Sequence, residues 1–398
     1  MDTKKENKQG LKVLIIGSVM QLFLGIIYVW SVFVKPVSEV YSWDIESVKL
    51  TSSYMLCFFV IGILTGGKLQ VKIGASKVVL IGGIMLSAGM FATSFIPENL
   101  TWLVYVTYGS IGGFGVGAGY NANISAAQQW FPKNRGFATG VSVCAFGFST
   151  VIFAPLIEFM INKFELRPTF MILSVVFLVV ILSLFSFIKL PDDKGNASAA
   201  SAALLEKKQY STSEMMRAKN FYFITLSLML ATSVFFILNP SFKTLAAERG
   251  LDPAIGTALV MITGIANALG RLGTPLLSDK IGREKAAFTV IAVTMICAIA
   301  LCFAQGILFI CTVAIIAFCY GGYSGIYPVI TADYFGIKNV GSNYGAVMMG
   351  FAISALVFPM IISKIDNYTL KFIVLSVLAA IGAVLILLAM TSKKNKKI

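Results

Sequence analysis

Long apolar stretches, separated by short clusters of Pro, Gly and charged residues, recur along the chain. An apolar helix crosses the hydrocarbon core of a bilayer in about 20 residues, and twelve stretches approach or exceed that length. One polar stretch, residues 190-219, separates the sixth from the seventh. The pattern predicts an all-α integral membrane protein, with a six-helix bundle over 1-189, a central loop over 190-219 and a second bundle over 220-398. The twelve predicted spans are 11-34, 48-66, 78-96, 101-127, 137-158, 168-189, 220-243, 256-277, 286-304, 308-331, 343-363 and 370-390.

The composition supports a membrane protein and removes several catalytic classes. Hydrophobic residues make up 57% of the chain and charged residues 13%, with a mean hydropathy of +0.84. That is more apolar surface than a soluble core buries. The sequence has no histidine, which excludes Ser/His/Asp triads, Cys/His nucleophiles and His-ligated metals. We therefore expect no enzymatic activity, no cofactor and no metal.

The positive charges are placed to orient helices in a lipid bilayer. The formal net charge is +14, which in a soluble protein would suggest a nucleic-acid partner. Here 23 Lys and Arg lie in the tails and in the loops on the side of the termini, against 8 in the opposite loops. By the positive-inside rule both tails are cytoplasmic. We expect a multi-pass protein of the plasma membrane that has no nucleic-acid partner and functions as a monomer.

The two halves resemble each other at an offset of about 205 residues. The run from Phe131 to Gly140 parallels the run from Phe335 to Gly345, and Lys72-Ile-Gly74 parallels Lys280-Ile-Gly282. Internal repeats of this kind are typical of transporters built from two related halves. The paired glycines at the starts of spans 5 and 11 are compatible with static helix packing and with gating, and both interpretations require closely packed helices. These glycines are Gly136, Gly140, Gly341 and Gly345.

Arg271 is the most informative residue, because it is the one charge deep inside a predicted span. It precedes Asp279 by eight positions, about 12 Å along a helix. An arginine near the centre of a membrane helix costs roughly 2.5 to 3.5 kcal/mol and usually faces a wet cavity or a partner. Asn267, one turn away, would hold the side chain inward. We expect the guanidinium to bind a small anion through a carboxylate; the alternative is that it reaches the cytoplasmic headgroups or bonds carbonyl groups at a helix end.

Polar aromatic residues deep in the spans indicate a shaped binding cavity. Tyr320, Ser324 and Tyr327 share an i, i+4, i+7 spacing on span 10, while Tyr28 and Tyr120 lie deep in spans 1 and 4. Buried tyrosine needs a hydrogen-bond partner. Each alone is compatible with packing or with an anchor at the membrane interface. Together with one cation they predict a cavity that selects a compact anion.

Several motifs carry a resemblance to a known family. The loop from Pro275 to Arg283, with Asp279-Lys280-Ile-Gly282-Arg283, resembles the major facilitator superfamily. Within that superfamily, four motifs are similar to the oxalate/formate antiporter (OFA) family, which is related to monocarboxylate transporters. These motifs are Gly25-Ile-Ile-Tyr28-Val-Trp30-Ser31-Val-Phe33, Trp130-Phe131-Pro132-Lys133-Asn-Arg135-Gly136, Asp333-Tyr-Phe335-Gly336 and Asn343-Tyr344-Gly345.

The resemblance implies a secondary transporter that works by alternating access, with two six-helix halves rocking around a midplane site. In oxalate-transporting members an arginine on span 8 and a lysine on span 11 bind substrate within an aromatic cage. Arg271 matches the arginine, Tyr28 and Tyr120 match cage tyrosines, and Tyr320 matches another aromatic. Phe351 stands at the lysine position. A dianion would need two fixed cations, so a monocarboxylate such as formate, lactate or pyruvate is favoured; an oxalate/formate-type dicarboxylate exchanger is the alternative.

The resemblance also assigns a cytoplasmic gating loop, formed by Asp279, Lys280, Gly282 and Arg283. Val71 stands where the corresponding loop of the first half usually has aspartate, so we expect looser gating there.

Three other functional classes fit the sequence less well than a transporter does. A non-transporting membrane sensor would normally add a soluble signalling domain, a channel would need a ring of charge or a filter repeat, and a membrane enzyme would need a catalytic polar cluster.

Overall fold

The computed structural model describes residues 2–191, 208–239, 242–362 and 364–394. Of the predicted central loop, residues 192–207 lie outside these ranges. The described residues form helices joined by short turns and contain no strand. The predicted all-α class is confirmed.

The first half of the chain forms seven α-helices, which are in places extended by other helical turns. A 3-10 segment, Gly25–Val29, joins α1 to α2, and a π-helical segment, Tyr105–Gly112, runs directly into α5. Two short 3-10 turns are Glu98–Leu100 and Phe185–Phe187. The helices are α1 (Asp2–Leu24), α2 (Trp30–Val40), α3 (Ile45–Ile73), α4 (Ala75–Ser94), α5 (Gly113–Trp130), α6 (Arg135–Phe164) and α7 (Leu166–Leu184).

The second half forms six long helices and two short ones. Each of the twelve predicted spans coincides with a long helical segment, most of which extend past the predicted limits. The helices are α8 (Thr212–Met216), α9 (Lys219–Leu238), α10 (Phe242–Glu248), α11 (Pro253–Ile281), α12 (Arg283–Ala300), α13 (Gly306–Phe335), α14 (Val340–Ile362) and α15 (Tyr368–Lys394).

Nine helical segments of the described residues are long and apolar enough to cross a membrane by length and composition. The three long helices outside that set carry more polar side chains. α5 contains Asn121 and Asn123, α11 contains Arg271, and α12 begins with three charged residues from Arg283. Polar side chains inside a membrane helix are costly and usually serve a function. The polar side chains inside α5 and α11 therefore make these two helices candidates for a binding site.

Two glycines with left-handed backbone conformation separate consecutive helices at equivalent places in the two halves. Gly74 (φ 87°) ends α3 and precedes α4, and Gly282 (φ 97°) ends α11 and precedes α12. Residues with a Cβ atom rarely adopt this conformation, whereas glycine adopts it freely. The Lys-Ile-Gly motif thus encodes the same helix–turn–helix corner twice.

Packing divides the chain into two compact units. Unit 1 comprises Met1–Lys133, Ala145–Gln209 and Phe335–Gly345; unit 2 comprises Asn134–Cys144, Tyr210–Tyr334 and Ala346–Ile398. In unit 1 a core of small and branched side chains joins α1, α4, α5 and α7, among them Val13, Val78, Ala122 and Ile181. The predicted division at 1-189, 190-219 and 220-398 stays a prediction.

Candidate functional site

Arg271 lies inside unit 2, on α11, with 1% of its surface exposed. Its Nε donates a hydrogen bond to Asn267 Oδ1 at 2.9 Å, and its Nη1 donates to the carbonyl oxygen of Val143 on α6 at 3.5 Å. Asn267 is one turn farther from the Asp279 end of α11, so the side chain turns back into the membrane-spanning part of the helix. Two separate helices therefore fix the orientation of this guanidinium.

Glycines let the helices around Arg271 approach closely. A Cβ atom on Gly321 of α13 would lie 2.9 Å from Asn267 Oδ1, and one on Gly325 would lie 2.6 Å from the Arg271 carbonyl oxygen. On α6, a Cβ on Gly140 would lie 3.4 Å from that same oxygen. Small residues at such crossings allow backbones to meet where larger side chains would not fit. The positions of Asn267 and of Arg271, which it hydrogen-bonds, therefore depend on these glycines.

An aromatic group in unit 2 contains two of the predicted site residues. Tyr320 stacks on Phe235 with ring centroids 3.9 Å apart, and it contacts Phe351 at 6.2 Å and Phe236 at 5.7 Å. Phe236 and Phe351 meet edge to face at 5.0 Å. Sequence reasoning named Tyr320 and Phe351 but missed Phe235 and Phe236, because two phenylalanines in an apolar span carry no distinguishing signal.

The remaining predicted residues of α13 are placed differently from Tyr320. The Tyr327 hydroxyl lies 2.9 Å from Ser227 Oγ on α9, and the Ser227 hydroxyl donates to the Gly382 carbonyl oxygen on α15 at 2.8 Å. Ser324 is half-buried. The three residues of the i, i+4, i+7 series therefore have different surroundings: Tyr320 lies in the aromatic group, whereas Tyr327 hydrogen-bonds to a neighbouring helix. A binding role for Tyr327 and Ser324 stays a prediction.

A matching aromatic group lies in unit 1. Tyr28, in the 3-10 segment between α1 and α2, meets the ring of Phe146 edge to face at 5.5 Å. Tyr120 meets Phe146 at 4.7 Å and Phe59 at 5.3 Å. Phe59 and Phe146 were missed by sequence reasoning. The repeat offset of 205 residues relates Phe146 to Phe351. The repeat could therefore have identified Phe146 from the sequence.

The predicted gating loop forms part of a charged cluster in unit 2. Asp279 accepts hydrogen bonds from the backbone N–H groups of Gly136 (3.2 Å) and Phe137 (2.9 Å), at the N-terminus of α6. Arg283 pairs with Asp279 at 2.5 Å and with Asp333 at 3.2 Å, and Arg135 pairs with Asp333. A carboxylate at a helix N-terminus satisfies open N–H groups and the helix dipole. Lys280 is exposed, and Arg135 is a member that sequence reasoning missed.

The corresponding place in unit 1 is held by neutral groups. Val71 is 51% exposed. Asn121 Nδ2 donates to the carbonyl oxygens of Ile63 and Gly341, both at 2.8 Å, and Ser125 Oγ donates to Gln70 Oε1 at 2.7 Å. The Asn121 and Gln70 amides lie at the start of α14, at Gly341, where the repeat has Asp279 at the start of α6. The two halves therefore use different chemistry at equivalent helix ends.

Gly136 offers a direct test of the charged cluster. A Cβ atom there would overlap the carbonyl oxygen of Pro275 and lie 2.7 Å from Asp279 Oδ2. Gly136→Ala should therefore push α6 away from α11, at a cost of about 1–3 kcal/mol typical of overpacking. We expect a lower Tm in detergent. The matched control is Gly264→Ala, an exposed helical position with nothing within 4 Å, which should leave the Tm unchanged or raise it. Equal Tm values for the two variants would contradict the packing described.

Within the ranges that the structure describes, no group of three or more Cys, Asp or Glu side chains is arranged to hold a metal ion. At Arg271 the chemistry is that of a fixed guanidinium and an amide, and unit 2 also contains the aromatic group of Tyr320. A guanidinium held in this way can donate two parallel hydrogen bonds to an anion.

Comparison with known proteins identifies relatives of this chain. Residues 14–359 match the family described as Major Facilitator Superfamily. The chain is 27% identical over 346 residues to the uncharacterized MFS-type transporter YhjX of Escherichia coli (strain K12), covering 86% of this chain and 85% of that one. It is 25% identical to the oxalate:formate antiporter of Oxalobacter formigenes (82% and 77% covered) and 25% identical to monocarboxylate transporter 12 of Homo sapiens (86% and 72%).

Solved structures share the fold at low identity. The transporter FucP in its outward conformation aligns with a TM-score of 0.71 and 14% identity, covering 95% of this chain and 98% of that chain. The proton:xylose symporter XylE aligns with a TM-score of 0.70 and 16% identity, covering 95% of both chains. At these identities the likeness establishes the fold alone.

Proposed function

This chain belongs to the major facilitator superfamily, and from that premise we propose that it carries small monocarboxylates of the formate, lactate or pyruvate type across the plasma membrane. It is a multi-pass membrane transporter. The main support for this substrate class is the buried Arg271 guanidinium, which hydrogen-bonds to Asn267 and Val143 in the unit that also contains Phe351.

The guanidinium supports a carboxylate as the recognised group. Arginine keeps its charge in proteins, and its planar donors match the two oxygens of a carboxylate. Because Asn267 fixes Nε, the arginine loses little additional side-chain entropy when it binds. The names of two relatives, the oxalate:formate antiporter and monocarboxylate transporter 12, refer to carboxylates. The shared chemistry favours a carboxylate substrate for this chain.

Phe351 supports one carboxylate in preference to two. It is 5% exposed and packs against Tyr320 and Phe236, so this part of unit 2 is apolar. A second carboxylate next to these rings would lose its hydration without gaining a charged partner from them. We therefore favour a monocarboxylate whose carbon skeleton contacts the rings. An oxalate/formate-type dicarboxylate exchanger is the second candidate, supported by the name of the Oxalobacter relative.

The other predicted residues receive roles consistent with their positions. Asn267 positions Arg271, and Tyr320 contributes an aromatic wall in unit 2. Tyr28 and Tyr120 would contribute aromatic surface from unit 1. Asp279 and Arg283, with Lys280 and Gly282 at the same corner, would hold α6 against α11 during one stage of the transport cycle. We further propose that both tails are cytoplasmic, that the chain acts as a monomer, and that it catalyses no chemical step.

The test is a thermal-shift screen of the purified protein against small carboxylates, followed by counterflow in proteoliposomes. We expect formate, lactate or pyruvate to raise the Tm more than oxalate does, because at equal concentration a ligand that binds the folded state more tightly stabilises it more. Counterflow should show that substrate on the far side accelerates uptake, as expected of a carrier. Binding without uptake would favour a membrane sensor, and uptake without acceleration would favour a channel. No shift with any carboxylate would contradict the proposed substrate class.

A further inference from the structure

Inside unit 1, α1 and α5 meet across a small group of neutral polar side chains. Gln21 is completely buried and Asn123 is 2% exposed. Gln21 Nε2 donates to the Tyr120 carbonyl oxygen at 3.2 Å, and a Cβ atom on Gly17 would lie 3.5 Å from Asn123 Oδ1. Gly17 and Gln21 are four residues apart on one face of α1, and Tyr120 and Asn123 are three apart on one face of α5. Asn123 therefore lies against α1 at Gly17, one helical turn from Gln21.

Four buried atoms of this group have no hydrogen-bond partner among the described residues: Ser18 Oγ, Gln21 Oε1, Asn123 Nδ2 and Asn123 Oδ1. Ser18 lies three residues before Gln21, on the neighbouring part of the same face. Buried polar atoms are almost always hydrogen-bonded, and leaving several unpaired inside a membrane helix bundle is heavily penalised. A small molecule bound between these side chains would remove that penalty for each atom that it reaches.

The donor and acceptor pattern identifies the molecule. The Gln21 and Asn123 oxygens accept hydrogen bonds, Asn123 Nδ2 donates, and the Ser18 hydroxyl does either. A cation cannot accept from the Asn123 amide, and an anion cannot donate to the two amide oxygens. Water does both and typically makes about three hydrogen bonds to otherwise unsatisfied buried groups. We propose that Ser18, Gln21 and Asn123 bind one ordered water molecule between α1 and α5, one turn from Tyr120.

The first measurement is the sign of the stability change in Asn123→Leu, which keeps the side-chain volume and removes two of the four polar atoms. If water satisfies these atoms, the substitution removes real hydrogen bonds and the Tm falls by about 2 °C or more. If the atoms are unsatisfied, the substitution removes a burial penalty and the Tm rises. A raised or unchanged Tm would overturn the proposal.

The second measurement is a cryo-EM map of the full chain in lipid nanodiscs at a resolution that shows ordered water. We expect one peak within about 2.7–3.2 Å of Gln21 and Asn123 side-chain atoms. The matched control is Asn121→Leu on the same helix, which removes direct bonds to Ile63 and Gly341 and should leave the peak in place. Asn123→Leu should remove it. If that variant does not fold, the wild-type map alone decides, and a map without the peak refutes the site.

Discussion

Arg271→Gln should abolish saturable carboxylate uptake while the protein still inserts and folds. Truncating one partner of a buried, hydrogen-bonded charge pair costs about 2–5 kcal/mol in binding, which is roughly 30-fold or more in affinity. Glutamine keeps much of the side-chain length and some hydrogen-bonding capacity, so the change removes chiefly the charge and the fork of donors. The measurements are uptake in proteoliposomes and the thermal shift with the best carboxylate of the screen.

Two further variants separate charge from geometry at this position. Arg271→Lys keeps the charge but not the planar donors, and we expect partial uptake with weaker binding. The matched control is Arg167→Gln, which removes an arginine that contacts the Ile96 carbonyl oxygen at 3.2 Å and is 44% exposed in its side chain. Uptake should survive there. Full uptake by Arg271→Gln would disprove the assignment, provided that the variant is monodisperse in detergent.

Phe351→Lys should shift substrate preference toward dicarboxylates. The new ammonium would lie in the aromatic group of Tyr320 and Phe236, in the same unit as Arg271, and would supply a second fixed cation. We expect the ratio of oxalate to formate uptake to rise about tenfold or more, since one well-placed charge is worth at least about 1.4 kcal/mol when desolvated. Competition uptake with labelled substrates measures the ratio.

The control for this experiment is Phe351→Met, which keeps an apolar side chain of similar bulk but brings no charge. A buried lysine costs stability, so the lysine variant alone should have a lowered Tm that oxalate restores better than formate does. An equal oxalate-to-formate ratio in the lysine and methionine variants would show that the residue at this position does not set the preference. The proposal for Arg271 would survive that result.

Features that depend on one helix at a time were predictable. The spans follow from the length of apolar runs, because the hydrocarbon thickness fixes how many residues a helix needs. The corners at Gly74 and Gly282 follow from the repeated Lys-Ile-Gly motif. The spacing of four residues between Asn267 and Arg271 puts them on one helix face, where the structure has a 2.9 Å hydrogen bond.

Features that depend on which helices face each other were not predictable from the same pattern. Helices in lipid are apolar on most sides, so their periodicity does not indicate which face meets a neighbour. Tyr320 and Tyr327 look alike in sequence, yet one stacks on Phe235 and the other hydrogen-bonds to Ser227. Arg135 looks like an ordinary loop cation until the fold brings Asp333 beside it.

The sequence by itself therefore determined the helical class, the positions of the spans, the presence of a deep arginine and the absence of histidine chemistry, because each is a property of composition or of a single helix. Only the tertiary structure decided that Arg271 donates to Val143 as well as to Asn267, that Phe235 and Phe236 join Tyr320 and Phe351 in one aromatic group, and that Asn123 lies against α1 at Gly17. These depend on close approach between helices far apart in the chain. Glycines and side-chain shape set that approach, and hydropathy does not encode it.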